Sequence, residues 1–237
     1  MSVSPLPEPA VVRTRAGRPK LDARIASYQL AARMQLAATD ALDLTKETKK
    51  TRDAYGIGRS PTDSYGRRCL IARRLVERGV RFVQLFINGQ IWDNHNDIAR
   101  TLRSACDRTD QPAAALLADL KQRGLLDETL VVWGGEMGRL PIAELRDGKN
   151  DKTAGRDHNK NAICCWMAGG GVRAGHTHGA TDEIGLAAVE DRVSVTDFHA
   201  TILHLLGLNH EELTYPYAGR DFRLTDTRGE VIKGILS

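Results

Sequence analysis

No stretch of this 237-residue sequence approaches the roughly 18 to 20 consecutive apolar residues that a membrane span requires. The opening residues, Met1-Ser2-Val3-Ser4-Pro5-Leu6-Pro7, hold no apolar core of the kind a secretory leader carries, so as written the chain is expected to stay where it is made. An excess of one charge is missing too: 34 basic against 30 acidic side chains leave a formal +4, which is not a basic face. A nucleic-acid partner is not implied. The four cysteines, Cys69, Cys106, Cys164 and Cys165, show no paired spacing, and a disulfide between the adjacent last two would be strained. They read as reduced, mostly buried thiols, and no second Cys/His pair is spaced to complete a zinc knuckle. There is no Gly-x-Ser-x-Gly elbow, no dinucleotide fingerprint after a strand and no Gly-x-x-x-x-Gly-Lys phosphate cradle. Internal repeats and low-complexity segments are also lacking.

What is present is enough apolar material, 41% of residues, to bury a full core, most simply as one domain. Residues 1–20, with Pro5, Pro7, Pro9, Pro19 and a basic cluster, read as a flexible lead-in to a domain over 21–237. Leu21, Ile25, Tyr28, Ala32 and Leu36 recur at helical spacing, and Leu70, Ile71, Leu75 and Val76 form the apolar face of a second helix over 64–77. After Gly79 the period changes, and Val80 to Ile87 is short, β-branched and aromatic, which predicts a strand. A long helix is expected over 97–123, stopped by Gly124, with Leu102, Ala105, Cys106, Ala113, Leu116, Leu117 and Leu120 inward. Strands are expected at 130–133 and 161–168, with no element between 138 and 161. A capped helix over 196–206 and a hairpin around Thr227-Arg228-Gly229 follow. Helix-then-strand steps of this kind predict an α/β fold with a mostly parallel core and an antiparallel addition at the end.

Three motifs stand just after, or on the way into, the expected strands: Trp92-Asp93-Asn94-His95, Gly134-Gly135-Glu136-Met137-Gly138-Arg139 and Gly155-Arg156-Asp157-His158-Asn159. Carboxylates and imidazoles at strand ends converge on one crevice, and divalent cations accept that mixture. Asp93 and His95, two apart in an extended loop, point the same way and can reach one cation or two adjacent ones, unless Asn96 or Asp97 merely caps the long helix and His95 only decorates the surface. Glu136 follows a glycine pair that lets the chain turn tightly. Arg139 either clamps an anion with its bidentate fork or pairs with Glu136. Asp157 and His158 are adjacent, so they serve neighbouring ions or Asp157 orients His158. His176 and His178 are a weaker ligand pair, and His199, His204 and His210 pack or face water.

At these residues, and along about 21–237, the chain resembles the domain-of-unknown-function family 1501, grouped with the sulfatase-like and alkaline-phosphatase-like superfamily. The strings that carry the likeness are LIARRLVERGVRFVQL, DQPAAALLADLKQRGLL, VVWGGEMGR, GRDHN, MAGGGV, GATDEIG, DFHATILHLLGL and GRDFRLTD. The resemblance implies a three-layer α/β/α, alkaline-phosphatase-like fold and a crevice for one or two divalent metals, Zn, Ca, Mg or Mn. Asp93 and His95 look like the mid-chain ligand pair, Glu136 stands where relatives often place an aspartate, and His158, alone or with Asp157, looks like the late ligand. Family members usually begin with a further α/β half bearing a Ser/Asp motif, and the expectation is that this chain matches the C-terminal portion, with no residue assigned as nucleophile. Two functions are then expected: a metal-dependent hydrolase of small sulfate or phosphate esters with Arg139 steadying the anion, or a non-catalytic remnant or subunit of a split protein. A missing first half also predicts association through an exposed sheet edge. Full-length relatives often look exported.

Overall fold

The computed structural model describes residues 19–145 and 150–237, divided into two units, Met1–Asp43 and Leu44–Ser237. The lead-in expected at 1–20 lies outside the described residues except for Pro19 and Lys20, which already belong to a helix. Helix α1 spans Pro19–Leu42 with Asp22 in its first turn, where the N-terminal partial positive charge favours a carboxylate. Leu21, Ile25 and Tyr28 follow the helical period but are exposed, whereas Ala41 near the end of the helix is buried.

In the second unit α2 (Lys49–Ala54) starts at Thr48, whose hydroxyl accepts the Thr51 N–H at 3.1 Å. Helices α3 (Asp63–Val76) and α4 (Ile98–Gln122) pack against each other, and Gly124 takes the left-handed φ of 68° that ends α4. Between them Leu44, Tyr55, Tyr65, Cys69 and Leu70 are buried, with Ile71, Leu85, Ile87, Ala115, Leu116 and Trp133 partly buried against them. The same region holds an ionic knot. Arg73 is 2% exposed, and Glu47, Glu77 and Asp119 approach its guanidinium at 2.7, 2.5 and 3.0 Å. Tyr55 donates its hydroxyl to Asp119 at 3.0 Å, and Arg123 reaches Glu77 and Asp119 at 2.6 and 2.7 Å. Arg74 also pairs with Glu47, and Arg78 lies 4.0 Å from Glu77, so each buried charge here has an opposite partner.

The strands depart from expectation. They are β1 (Val131–Trp133), β2 (Gly138–Glu144), β3 (Gly155–Asn159), β4 (Trp166–Ala168), β5 (Ala180–Thr181), β6 (Ala188–Glu190), β7 (Thr214–Tyr217) and β8 (Arg220–Arg223). Among the described residues they form four two-stranded antiparallel sheets, β1 with β4, β2 with β3, β5 with β6 and β7 with β8. This overturns the mostly parallel, three-layer α/β/α expectation: a parallel ladder needs neighbouring strands joined by crossovers, and no such ladder closes among the described residues. Residues 80–87 join no ladder among the described residues. They keep the period-2 alternation of a strand, because composition sets alternation while a partner sets pairing.

Residues 138–161, expected to lack regular structure, hold the β2–β3 pair. The C-terminal hairpin lies at 214–223 rather than around Thr227, because Ala218 and Gly219 both take positive φ, 49° and 80°, the requirement of a tight type I′ turn. Helix α5 (Val195–Leu205) begins at a capping box in which Ser194 and Asp197 exchange side-chain bonds with each other's backbone. Cys69 is buried as expected, whereas Cys164 and Cys165 are exposed free thiols. No helix among the described residues is long and apolar enough to cross a membrane.

Candidate metal centre

The loop that carries Asp93 and His95 is laced onto β3 and the turn before it. Arg156 donates its N–H to the Asn94 carbonyl at 2.9 Å, Asp97 to Thr153 at 2.9 Å and Ile98 to Ala154 at 3.1 Å. Gly155 makes this approach feasible, since a Cβ there would stand 2.1 Å from the His95 carbonyl carbon. Asp97 occupies the N-cap position of α4 with φ 47°, but its carboxylate pairs with Arg100 at 2.6 Å instead of capping the helix. His95 does not merely decorate the surface: its ring meets Glu144 of β2 and His158 of β3.

Three ligand atoms converge there. Asp93 Oδ1 lies 2.9 Å from His158 Nε2 and 3.0 Å from His95 Nε2, and the two imidazole nitrogens are 3.1 Å apart. Arg139, which stands opposite His158 in the β2–β3 register, brings Nη2 to 2.8 Å from the same Asp93 oxygen and donates to the Trp92 carbonyl at 2.9 Å. The His158 bond first, and the Arg139 bond second, hold the Asp93 carboxyl at about 2. Asp93 is thus an anion over the whole ordinary pH range.

On its other nitrogen, His95 Nδ1 meets Glu144 Oε2 at 2.7 Å. A carboxylate at Nδ1 favours the tautomer that carries its proton there, which leaves Nε2 as the ring nitrogen a cation would take. His95, Glu144 and Asp157 form a second grouping whose ligand atoms lie within 4.8 Å of one another, as do those of Asp93, His95 and His158. His95 belongs to both.

Of the expected ligands, Asp93, His95 and His158 come together, and Asp157 joins through the second grouping while its Oδ1 accepts the His158 N–H at 2.7 Å. Glu136 does not; it is exposed in the bend between β1 and β2 and lies in neither grouping. Arg139 pairs with Asp93, not with Glu136. His176 and His178 are near each other, ring centroids 6.3 Å apart, and also join neither. His199 lies against Phe198, and buried His210 meets Thr225 Oγ1 at 3.0 Å. Sequence alone does not single out Glu144, because it closes a stretch whose pattern predicts no regular structure. The run Arg139-Leu140-Pro141-Ile142-Ala143-Glu144 alternates weakly, and Pro141, which cannot donate to a ladder, obscures the strand.

The cluster borders an aromatic group. Trp92, next in chain to Asp93, meets Trp133 edge-on at 6.1 Å; Trp133 stacks on Trp166 at 5.9 Å and 7°, and Tyr65 meets Trp133 edge-on at 6.4 Å.

Residues 8–236 match the DUF1501 family, described as a protein of unknown function. No curated protein and no solved structure matches the chain.

Proposed function

The chain belongs to the DUF1501 family, and on that premise we propose that Asp93, His95 and His158 hold a divalent cation and that the site hydrolyses small sulfate or phosphate esters. The observation that carries the cation reading is the triangle of donors with sides of 2.9, 3.0 and 3.1 Å. Ligands about 2.0 to 2.1 Å from a tetrahedral zinc stand about 3.3 Å apart, so the triangle needs to open by only a few tenths of an ångström. Two imidazoles and one carboxylate favour zinc or manganese over calcium and magnesium, which prefer oxygen ligands throughout. Glu144 orients His95 in the manner of a carboxylate partner to a metal-bound histidine.

The ester-hydrolase reading rests on the motif likeness to sulfatase-like and alkaline-phosphatase-like proteins together with Arg139, whose guanidinium borders the cluster. A bound cation would supply Lewis acidity and a water acidified toward neutrality. Among the described residues no serine, threonine or cysteine side chain hydrogen-bonds to the Asp93, His95 and His158 donors, so the reading assigns the attack to water. A non-catalytic role is the second reading, favoured by the exposure of Phe82 and Phe86 next to this unit's core.

Metal analysis of purified protein after dialysis against zinc or manganese, followed by assays on aryl phosphate and aryl sulfate, tests both levels. One equivalent of metal lost in His158→Ala supports the site, and metal-dependent turnover supports the hydrolase. Absence of stoichiometric metal in the parent chain overturns the first, and metal binding without turnover of either ester favours the non-catalytic role.

A further inference from the structure

Residues 80–87 have the composition of a strand buried on both faces and the environment of one covered on a single face. Leu85 and Ile87 pack against the α3–α4 core, while the outward side chains Phe82 and Phe86 are 73% and 67% exposed. The backbone is open as well. Val80 donates to Leu75 at 3.1 Å, yet no N–H of residues 81–89 donates to another backbone group among the described residues. Arg68 bonds the Phe86 carbonyl and meets Asn88 Oδ1 at 3.0 Å, which anchors the segment to α3 while leaving its remaining ladder groups for a partner. An extended apolar segment with unpaired ladder groups is a template for another strand.

We propose that residues 81–87 pair antiparallel with the same residues of a second copy of this chain, about a two-fold axis through Gln84. The inference is independent of the metal reading. Self-pairing is favoured by the sequence of the segment itself, Arg81-Phe82-Val83-Gln84-Leu85-Phe86-Ile87. In this register Phe82 faces Phe86 twice, Val83 faces Leu85 twice, and Gln84 meets its own equivalent, an amide pair able to exchange hydrogen bonds. Arg81 stands opposite Ile87, so no like charges are opposed. A slip of one residue would set the outward aromatic row against the inward aliphatic row, which fixes the register. The contact is isologous and closes on itself, as two-fold interfaces do. A single seven-residue edge buries less than the roughly 1,200 Å² of a stable complex, so the dimer is weak and concentration-dependent.

Sedimentation equilibrium of the full chain over about 5 to 200 µM is expected to show a monomer–dimer equilibrium, a range suited to a contact below standard size. Phe82→Lys, on an outward side chain, is expected to weaken association about tenfold or more by setting a charge against Phe86, with unchanged far-UV circular dichroism. The register has its own readout. With Cys106, Cys164 and Cys165 replaced by serine, Gln84→Cys is expected to form a symmetric disulfide dimer on mild oxidation. Phe82→Cys is not, because its two copies would stand about 14 Å apart along the ribbon. A chain that stays monomeric throughout, a dimer indifferent to Phe82→Lys, or crosslinking of Phe82→Cys as readily as Gln84→Cys overturns the proposal. Should Phe82→Lys misfold, the crosslinking pair decides.

Discussion

Glu144 Oε2 lies 2.7 Å from Nδ1 of His95, the ring nitrogen that does not face Asp93 and His158. A carboxylate there favours a proton on Nδ1, which leaves the other nitrogen as the one a cation would take. Glu144→Leu is expected to lower zinc affinity about 10- to 100-fold, with Glu144→Gln, whose amide oxygen can still accept from Nδ1–H, falling between it and the parent chain. Isothermal titration with zinc at fixed pH provides the check. Equal losses in the two variants would show that orientation of the ring is not what Glu144 contributes.

The proposed ligand His158 and Glu136, which lies outside both groupings, can be told apart by substitution. His158→Ala removes a donor 2.9 Å from Asp93 and should abolish stoichiometric binding, whereas Glu136→Ala removes an exposed carboxylate from outside both groupings and should leave binding unchanged. Metal content by mass spectrometry after gel filtration distinguishes them. A Glu136→Ala chain that loses its metal would place that residue back in the site.

The lowered Asp93 carboxyl carries a pH signature. Its folded value, about 2, lies below the usual carboxylate value near 3.9, so its contribution to stability is full above about pH 4 and is lost as pH falls through about 2. The stability difference between the parent chain and Asp93→Asn, taken from urea melts, should hold steady from pH 7 to about pH 4 and narrow below that. A difference that narrows already between pH 7 and 5 would contradict the assignment.

Arg73 is the prediction for the helical half. Removing it leaves Glu47, Glu77 and Asp119 close together without the one guanidinium that reaches all three, although Arg74, Arg78 and Arg123 still pair with one or two of them. Arg73→Ala should cost about 3 to 5 kcal/mol, the range for breaking a buried ion pair from one side. Arg73→Lys should recover only part, because one ammonium cannot reach three carboxylates in a fork. Chemical denaturation followed at the far-UV helix signal measures both.

The helices were legible because a 3.6-residue period and its caps are local: α3, α4 and α5 begin and end near Asp63, Gly124 and Ser194 as the side chains announce. Pairing of strands is not local. The alternation over 80–87 is there to read, but nothing within eight residues states whether a partner exists, and the composition of 130–133 does not disclose that it meets 166–168 antiparallel. The site shows the same division. Asp93, His95 and His158 were readable as ligand types at loop and strand-end positions, while Glu144 depends on a register shift between Arg139 and Ala143 that no spacing rule encodes. Arg73 was hidden for a related reason: a charged residue on a helix face reads as solvated until the carboxylates of other segments arrive around it.

All three tryptophans of the chain, Trp92, Trp133 and Trp166, lie in one ring-contact group beside Asp93. Indoles stacked at 5.9 Å share their excitation, so the ultraviolet emission of the whole protein reports on a single neighbourhood. A cobalt or manganese ion placed next to Asp93 would drain that emission. With a cation held at the proposed site, the molecule would carry its own optical gauge of occupancy, readable without label or substrate.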